Sequence, residues 1–173
     1  MKKIYIVGIV ASGKSTLAKQ ISKKINIPWY ELDSIVHKKT KDARYKLTPS
    51  EQVDIINDID EKGKWIFEGT DRESYRCLFE MADTIIFLDT PLWKRKMRIL
   101  IRFLKQNLGF EKCEYKPDIT MLKMMYKWTR DFERNREIFE ERLDLYKNKV
   151  IRLSDTKNLD SSILHLTYTN RTG

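Results

Sequence analysis

Gly8-Ile9-Val10-Ala11-Ser12-Gly13-Lys14-Ser15 decides how this chain folds. The spacing is G-x-x-x-x-G-K-[ST], the phosphate-binding loop, and its flanks supply the context that such a loop needs. Lys2-Lys3-Ile4-Tyr5-Ile6-Val7 precedes it, a short apolar, β-branched run that reads as a buried strand. Leu17, Ala18, Ile21 and Ile25 follow at helical spacing on one face. In a strand–loop–helix unit, Gly8 and Gly13 permit backbone that a Cβ would obstruct, and loop N–H groups with the helix N-terminus point at an anion. Gly8, Ala11, Ser12, Gly13, Lys14, Ser15 and Thr16 are therefore the expected nucleotide contacts. Lys14 is placed on the β- and γ-phosphates of ATP and Ser15 on Mg²⁺. Ala11 stands where a third glycine is common, at a position the pattern leaves free.

Outward from the loop, strands and helices alternate, which predicts an α/β domain with a parallel sheet. Strands are expected at 27–33, 64–69, 84–89 and 149–153. Helices are expected from Thr48-Pro49-Ser50-Glu51, a capping box, to about Glu61, around 74–81, from Pro91 to about Leu108, and from Ile119 to Tyr146 with a break near Asn135. Residues 34–47 read as irregular, 154–158 as a turn before a closing helix, and 168–173 as a frayed tail. The order expected for the sheet is 2-3-1-4-5 within one domain spanning 1–173, in three layers with helices on both faces. The acceptor-binding region falls at about 33–62 and a small helical lid at about 103–130.

The chain has 173 residues, 41% of them hydrophobic and 11% aromatic, the balance of an ordinary globular domain. It carries no apolar run long enough for a membrane span and no leader pattern, so a cytoplasmic protein without a membrane partner is expected, as a monomer or homodimer. Cys77 and Cys113 lie 36 residues apart and match no metal spacing, which suits free thiols in a reducing compartment. His37 and His165 have no metal or triad partner in the pattern.

The net charge of +9 is concentrated: residues 91–136 hold 13 Lys and Arg against 5 Asp and Glu. Such a block suits nucleic acid, an anionic membrane or a phosphate-handling site, and the loop makes the last the most economical. In the helix from Pro91, Trp93, Met97, Leu100, Ile101, Leu104 and Leu108 share one face. Lys94, Arg95, Arg98, Arg102 and Lys105 lie beside it with no acid in the pattern to pair with. They suit phosphate oxygens, and Arg130, Arg134 and Arg136 could form the opposite wall of a closing lid. A solvated face is the alternative.

Two strands next to the first end in acid, Glu68 and Asp89, at the sheet edge where ligands bind. Glu68 is the preferred partner for Mg²⁺, directly or through water, with Gly69 behind it to admit substrate. Asp89 serves either as a helix cap or as a metal contact. Asp33, ending the second strand, serves either as an N-cap or as the carboxylate that accepts the acceptor's proton. Glu31 is assigned to the opposite face of that strand.

These runs resemble the adenylate kinase-like group of P-loop kinases over about residues 1–160, and more closely the small bacterial DNA topology modulation (FlaR-type) proteins. The resemblance rests on Leu32-Asp33, on Trp65-Ile66-Phe67-Glu68-Gly69, and on Ala82-Asp83-Thr84-Ile85-Ile86-Phe87-Leu88-Asp89-Thr90-Pro91. It implies that Arg98 and Arg102, four residues apart, contact nucleotide phosphates as the lid closes. It implies that Arg72, in Glu68-Gly69-Thr70-Asp71-Arg72, grips the acceptor beside Asp33, Glu68 and Gly69. It also sets Ser154-Asp155-Thr156-Lys157 near the adenine ring. The adenylate kinase Phe-Pro after the third strand and its AMP-holding element after the second are missing, and the single Asp33 resembles kinases that phosphorylate a hydroxyl, such as shikimate or gluconate kinases. With only Cys113, the lid bears no zinc. The implied activity is ATP- and Mg²⁺-dependent phosphoryl transfer to a small acceptor (nucleoside, nucleotide or hydroxyl metabolite). The alternative is a nucleotide-gated DNA-binding protein.

Overall fold

The computed structural model describes residues 2–39, 44–110 and 117–155. Cys113, His165, Thr156, Lys157, the expected closing helix and the expected tail lie outside the described residues. So does part of the lid.

Five parallel strands form the central sheet: β1 (Lys3–Val7), β2 (Trp29–Glu31), β5 (Trp65–Gly69), β6 (Thr84–Leu88) and β7 (Val150–Leu153). Their spatial order is β2-β5-β1-β6-β7, which is the expected 2-3-1-4-5 counted over this sheet. A parallel sheet covered on both faces needs apolar side chains at consecutive positions. Ile4, Tyr5, Ile6 and Val7 are accordingly all fully buried. Tyr5 and Val7 join Trp65, Phe67, Ile85 and Phe87 on one face, while Ile4 and Ile6 join Ile66, Ile86 and Leu88 on the other. Leu17, Ala18 and Ile21 of α1 (Lys14–Ile25) cover part of this second face. The first receives α3 (Pro49–Asp60), α4 (Cys77–Met81) and α7 (Arg136–Asp144) through Ile56, Ile59, Leu78, Phe79, Phe139 and Leu143.

Local chemistry sets the helix ends. At α3 the Glu51 N–H donates to Thr48 Oγ1 at 3.3 Å and the Thr48 N–H donates to Glu51 Oε2 at 2.7 Å, the reciprocal box that the sequence predicts. Such a cap stabilises a helix by about 1 kcal/mol. Asp118 caps α6 (Ile119–Arg134), its Oδ1 accepting from the Met121 N–H at 2.8 Å. Asn135, with φ −104° and ψ 15°, separates α6 from α7 at the expected break.

One region differs from expectation. The described parts of 34–47 are not irregular: α2 (Leu32–Ile35) is followed by β3 (His37–Lys39) and β4 (Arg44–Lys46), which pair antiparallel. Three-residue strands are too short to display an alternating pattern. Asp33 therefore sits in the first turn of a short helix, not at a strand end. α5 (Leu92–Asn107) turns its apolar stripe outward. Trp93, Met97, Leu100, Ile101, Leu104 and Leu108 are all exposed, and the buried residues are Arg95, Ile99 and Gln106. The inward side is polar because Arg95 lies in it: its Nε donates to Thr90 O at 2.8 Å, its Nη2 pairs with Glu133, and its guanidinium lies 5.8 Å from the Phe132 ring centroid.

Candidate active site

β1 delivers the loop at the C-terminal edge of the sheet, beside the ends of β5 and β6. Gly8 must be glycine: an added Cβ would meet Ser12 Oγ at 2.9 Å and Leu88 O at 3.0 Å. The loop then turns through two left-handed residues, Ala11 at φ 59° and Gly13 at φ 105°. α1 begins at Lys14, directly behind Gly13, so its unpaired N–H groups open onto the loop. Ser12 is fully buried and its hydroxyl has no partner. Lys14 Nζ donates to Ile9 O at 3.1 Å. Its ammonium is enclosed by protein although the residue as a whole keeps some exposed surface, and that enclosure lowers its pKa. The charges of Glu68, Asp33 and Glu31 oppose the shift, while Arg102 adds to it. Arg102 thus lies within electrostatic reach of Lys14.

Ser15 and Glu68 come together across the end of β5: Ser15 Oγ donates to Glu68 Oε1 at 2.6 Å. Glu68 is buried, and desolvation raises its carboxyl above the ordinary range, with Lys14 and the Ser15 bond pulling it back. Among the described residues no group of three or more His, Cys, Asp or Glu could hold a metal by itself. Two oxygen donors at the foot of a phosphate loop nevertheless suit Mg²⁺, which takes most of its other ligands from phosphate and water. The residues present fit Mg-ATP.

Glu31 belongs to this group. It is the Cα partner of Glu68 in the parallel ladder, and its charge acts on both Lys14 and Glu68, so assigning it away from the site missed its position. The interstrand register, invisible in single-strand alternation, places it there.

On the acceptor side, Arg72 Nη2 donates to Asp33 Oδ1 at 2.7 Å, and the Arg72 guanidinium lies 5.9 Å from the Tyr75 ring centroid. Tyr75 is anchored in turn, its hydroxyl 3.3 Å from Leu32 O and 2.9 Å from Gln52 Oε1. The expected roles of Asp33 and Arg72 thus fall on two residues in direct contact. Gly69 has a different surrounding from the expected one. A Cβ there would meet Leu32 Cδ1 at 2.7 Å and Leu32 Cβ at 2.9 Å, so its bareness lets α2 pack down and sets the position of Asp33.

α5 is stitched to the loop at its N-terminal end. Thr90 Oγ1 donates to Ser12 O at 2.8 Å, and Arg98 Nη1 donates to Ser12 O at 2.6 Å and to Ala11 O at 3.3 Å. Thr90 was not singled out from sequence, although it stands in the quoted Leu88-Asp89-Thr90-Pro91 run. The basic face of α5 does have acidic partners. Asp155 takes Lys94 at 2.9 Å and Arg98 at 3.7 Å, and Glu133 takes Arg95. These acids lie dozens of residues away, beyond any local pattern. Asp89 neither caps α5, which starts without a side-chain cap, nor stands free for a cation. It accepts from Arg136 at 2.5 Å and from Arg152 at 3.4 Å. Arg136 is therefore spent on Asp89 and Glu140, while Arg130 and Arg134 are exposed.

No protein-family model matches the chain. It is similar to the shikimate kinase of Sulfurihydrogenibium sp. (strain YO3AOP1), 22% identical over 173 residues that cover 95% of this chain and 94% of the relative. Among solved structures it resembles shikimate kinase from Acinetobacter baumannii in complex with shikimate, with a TM-score of 0.57 and 15% identity over 100% of this chain and 96% of that one. It also resembles a gluconokinase from Sinorhizobium meliloti 1021, with a TM-score of 0.52 and 15% identity over 99% and 98%. The likeness to the structures carries the fold, and the loop with Lys14, Ser15 and Glu68 carries the chemistry. By fold and by the geometry of its phosphate loop, the chain has the α/β architecture of the P-loop kinases it is similar to.

Proposed function

We propose that the chain transfers the γ-phosphoryl group of Mg-ATP to a hydroxyl of a small anionic metabolite, with a hydroxy acid of the shikimate kind the first candidate. The observation that carries this reading is the Asp33–Arg72 contact at 2.7 Å, a carboxylate beside a guanidinium on the acceptor side of the Lys14–Glu68 group. A hydroxyl acceptor needs a carboxylate to take its proton, and an anionic acceptor needs a cation to hold it in line. α3, at the back of the same region, contains no Lys or Arg.

In this reading Lys14 and the loop amides cradle the β- and γ-phosphates. Ser15 and Glu68 would hold Mg²⁺, which when bound would supply positive charge beside the phosphates. The acceptor displaces Arg72 from Asp33: Arg72 turns to its anionic group while Asp33 receives the hydroxyl proton. The acceptor oxygen forms its bond to Pγ as the bond from Pγ to the bridging oxygen of ADP breaks. Arg98 leaves the Ala11 and Ser12 carbonyls for the phosphates, joined by Arg102, as segment 103–130 closes.

Kinship with the topology modulation proteins rests on the quoted motifs alone, and no observation favours a DNA-gating role. Three of the cations that prompted it, Lys94, Arg95 and Arg98, are engaged inside the chain. The test is ADP release from Mg-ATP across shikimate, gluconate, nucleosides and nucleoside monophosphates, with Lys14→Ala as blank. Stimulation by a hydroxy acid supports the proposal. Stimulation by a nucleoside monophosphate alone, or by nothing in the panel, overturns it.

A further inference from the structure

The outward face of α5 has no place in the kinase chemistry. Residues 93, 97, 100, 101, 104 and 108 fall within an arc about 100° wide, opposite the arc of Arg95, Ile99 and Gln106. Trp93 is 65% exposed, Met97 and Leu104 50% each, and Leu108 69%. Gly109, at φ 77°, then turns the chain, and Phe110 beyond it is 81% exposed. Single exposed leucines are ordinary, whereas a continuous apolar stripe along a whole helix marks a contact surface. Lys96 edges the stripe on one side and Lys105 on the other. The helix carries six Lys and Arg and no acid.

We propose that α5 docks the protein on an anionic lipid surface, its apolar stripe in the boundary between headgroups and acyl chains and its flanking lysines on the lipid phosphates. Charge selects this occupant. A second copy would bring the same cationic rims face to face, with no acid on α5 to relieve them. A nucleic acid would satisfy the lysines and leave the exposed leucines and methionine without an apolar partner. A basic amphipathic helix laid along an anionic interface satisfies both. Trp93 stands at the N-terminal end of the stripe, and its ring is of the kind that settles at headgroup level. A docked α5 keeps the crevice accessible, because Arg98 points to the Ala11 and Ser12 carbonyls from a different side of the helix. No helix among the described residues could span a membrane, so the contact is peripheral. The sequence expectation of no membrane partner rested on the lack of a long apolar run, which speaks to a spanning helix and not to a peripheral one.

The test is flotation of the full chain with vesicles of phosphatidylcholine alone and of phosphatidylcholine mixed with phosphatidylglycerol. The expected result is binding to the anionic vesicles only, reversed by salt. The Met97→Ser/Leu100→Ser variant weakens binding about tenfold or more and leaves basal ATP hydrolysis in solution unchanged. Lys96→Gln/Lys105→Gln weakens it about tenfold. On the unaltered protein, bromine-labelled phosphatidylglycerol quenches tryptophan emission, and Trp93→Phe removes most of that quenching, which holds the test independent of how the serine variant folds. Absence of vesicle binding, equal binding to both compositions, or binding that the serine variant retains overturns the proposal. So does a dimer that the serine variant dissociates without any vesicle binding, or capture of duplex DNA in place of vesicles.

Discussion

The two halves of the crevice are built from different materials. The nucleotide half is backbone: a glycine turn, left-handed residues at Ala11 and Gly13, and the N-terminus of α1 directly behind them. Its few side chains, Lys14, Ser15 and Glu68, are held by short contacts in buried surroundings. The acceptor half is side chains: Asp33 on a four-residue helix and Arg72 on the segment after β5, both substantially exposed. Backbone geometry leaves a spacing in the sequence that can be read, whereas a side-chain pair 39 residues apart leaves none. In the proposed reaction the rigid half suits the invariable nucleotide, and the adaptable half the acceptor.

Substitutions on the two sides should therefore fail differently. The largest effect is expected for Lys14→Ala, which should cut acceptor-stimulated ADP release by about a thousandfold or more, because transition-state charge loses its buried cation. The protein should remain folded, as circular dichroism would show. Next is Asp33→Asn, expected to lower kcat by about a hundredfold to a thousandfold with the KM for ATP unchanged. A matching rise in the KM for ATP would erase the distinction between the halves. Arg72→Ala should act chiefly on the acceptor's KM, about tenfold or more, read from initial rates at saturating ATP.

A pH profile sharpens the nucleotide side. Burial raises the Glu68 carboxyl, so its proton is held to higher pH than that of an ordinary glutamic acid at about 4.3. Mg²⁺ requires the ionised form. The acid limb of kcat/KM should thus lie above the ordinary carboxylate range, and excess Mg²⁺ should move it toward lower pH. A limb at the ordinary value and indifferent to Mg²⁺ would remove Glu68 from metal binding. The smallest effects are on stability. Gly69→Ala drives a Cβ into Leu32 and should cost about 1–3 kcal/mol in thermal unfolding, with Asp33 disturbed in the same stroke. Ala11→Gly removes a left-handed alanine and should gain about 1 kcal/mol before the entropic cost of glycine offsets part of it.

The same division explains what the chain discloses in one dimension. The loop, the alternation of strands and helices, the Thr48–Glu51 box and the break at Asn135 each depend on residues within a few positions of one another, and each is legible. The partners of Arg95, Arg98 and Asp89 come from Glu133, Asp155, Arg136 and Arg152, which local spacing does not reveal. α5 shows the consequence most clearly. Amphipathic helices ordinarily bury their apolar side, and here that side faces outward. The inward side holds Arg95, whose acidic partner Glu133 lies in α6. Glu31 is a milder instance: the alternation of one strand does not disclose its alignment with Glu68.

The most direct measurement of the central claim compares the native chain, Lys14→Ala and Asp33→Asn for Mg-ATP binding by calorimetry and for ADP release with the stimulating hydroxy acid. The native chain is expected to bind and to turn over, Lys14→Ala to do neither, and Asp33→Asn to bind Mg-ATP with native affinity while losing the stimulated release. An Asp33→Asn protein that responds to the acceptor as the native chain does would contradict the assignment of Asp33 as the residue that takes the acceptor's proton.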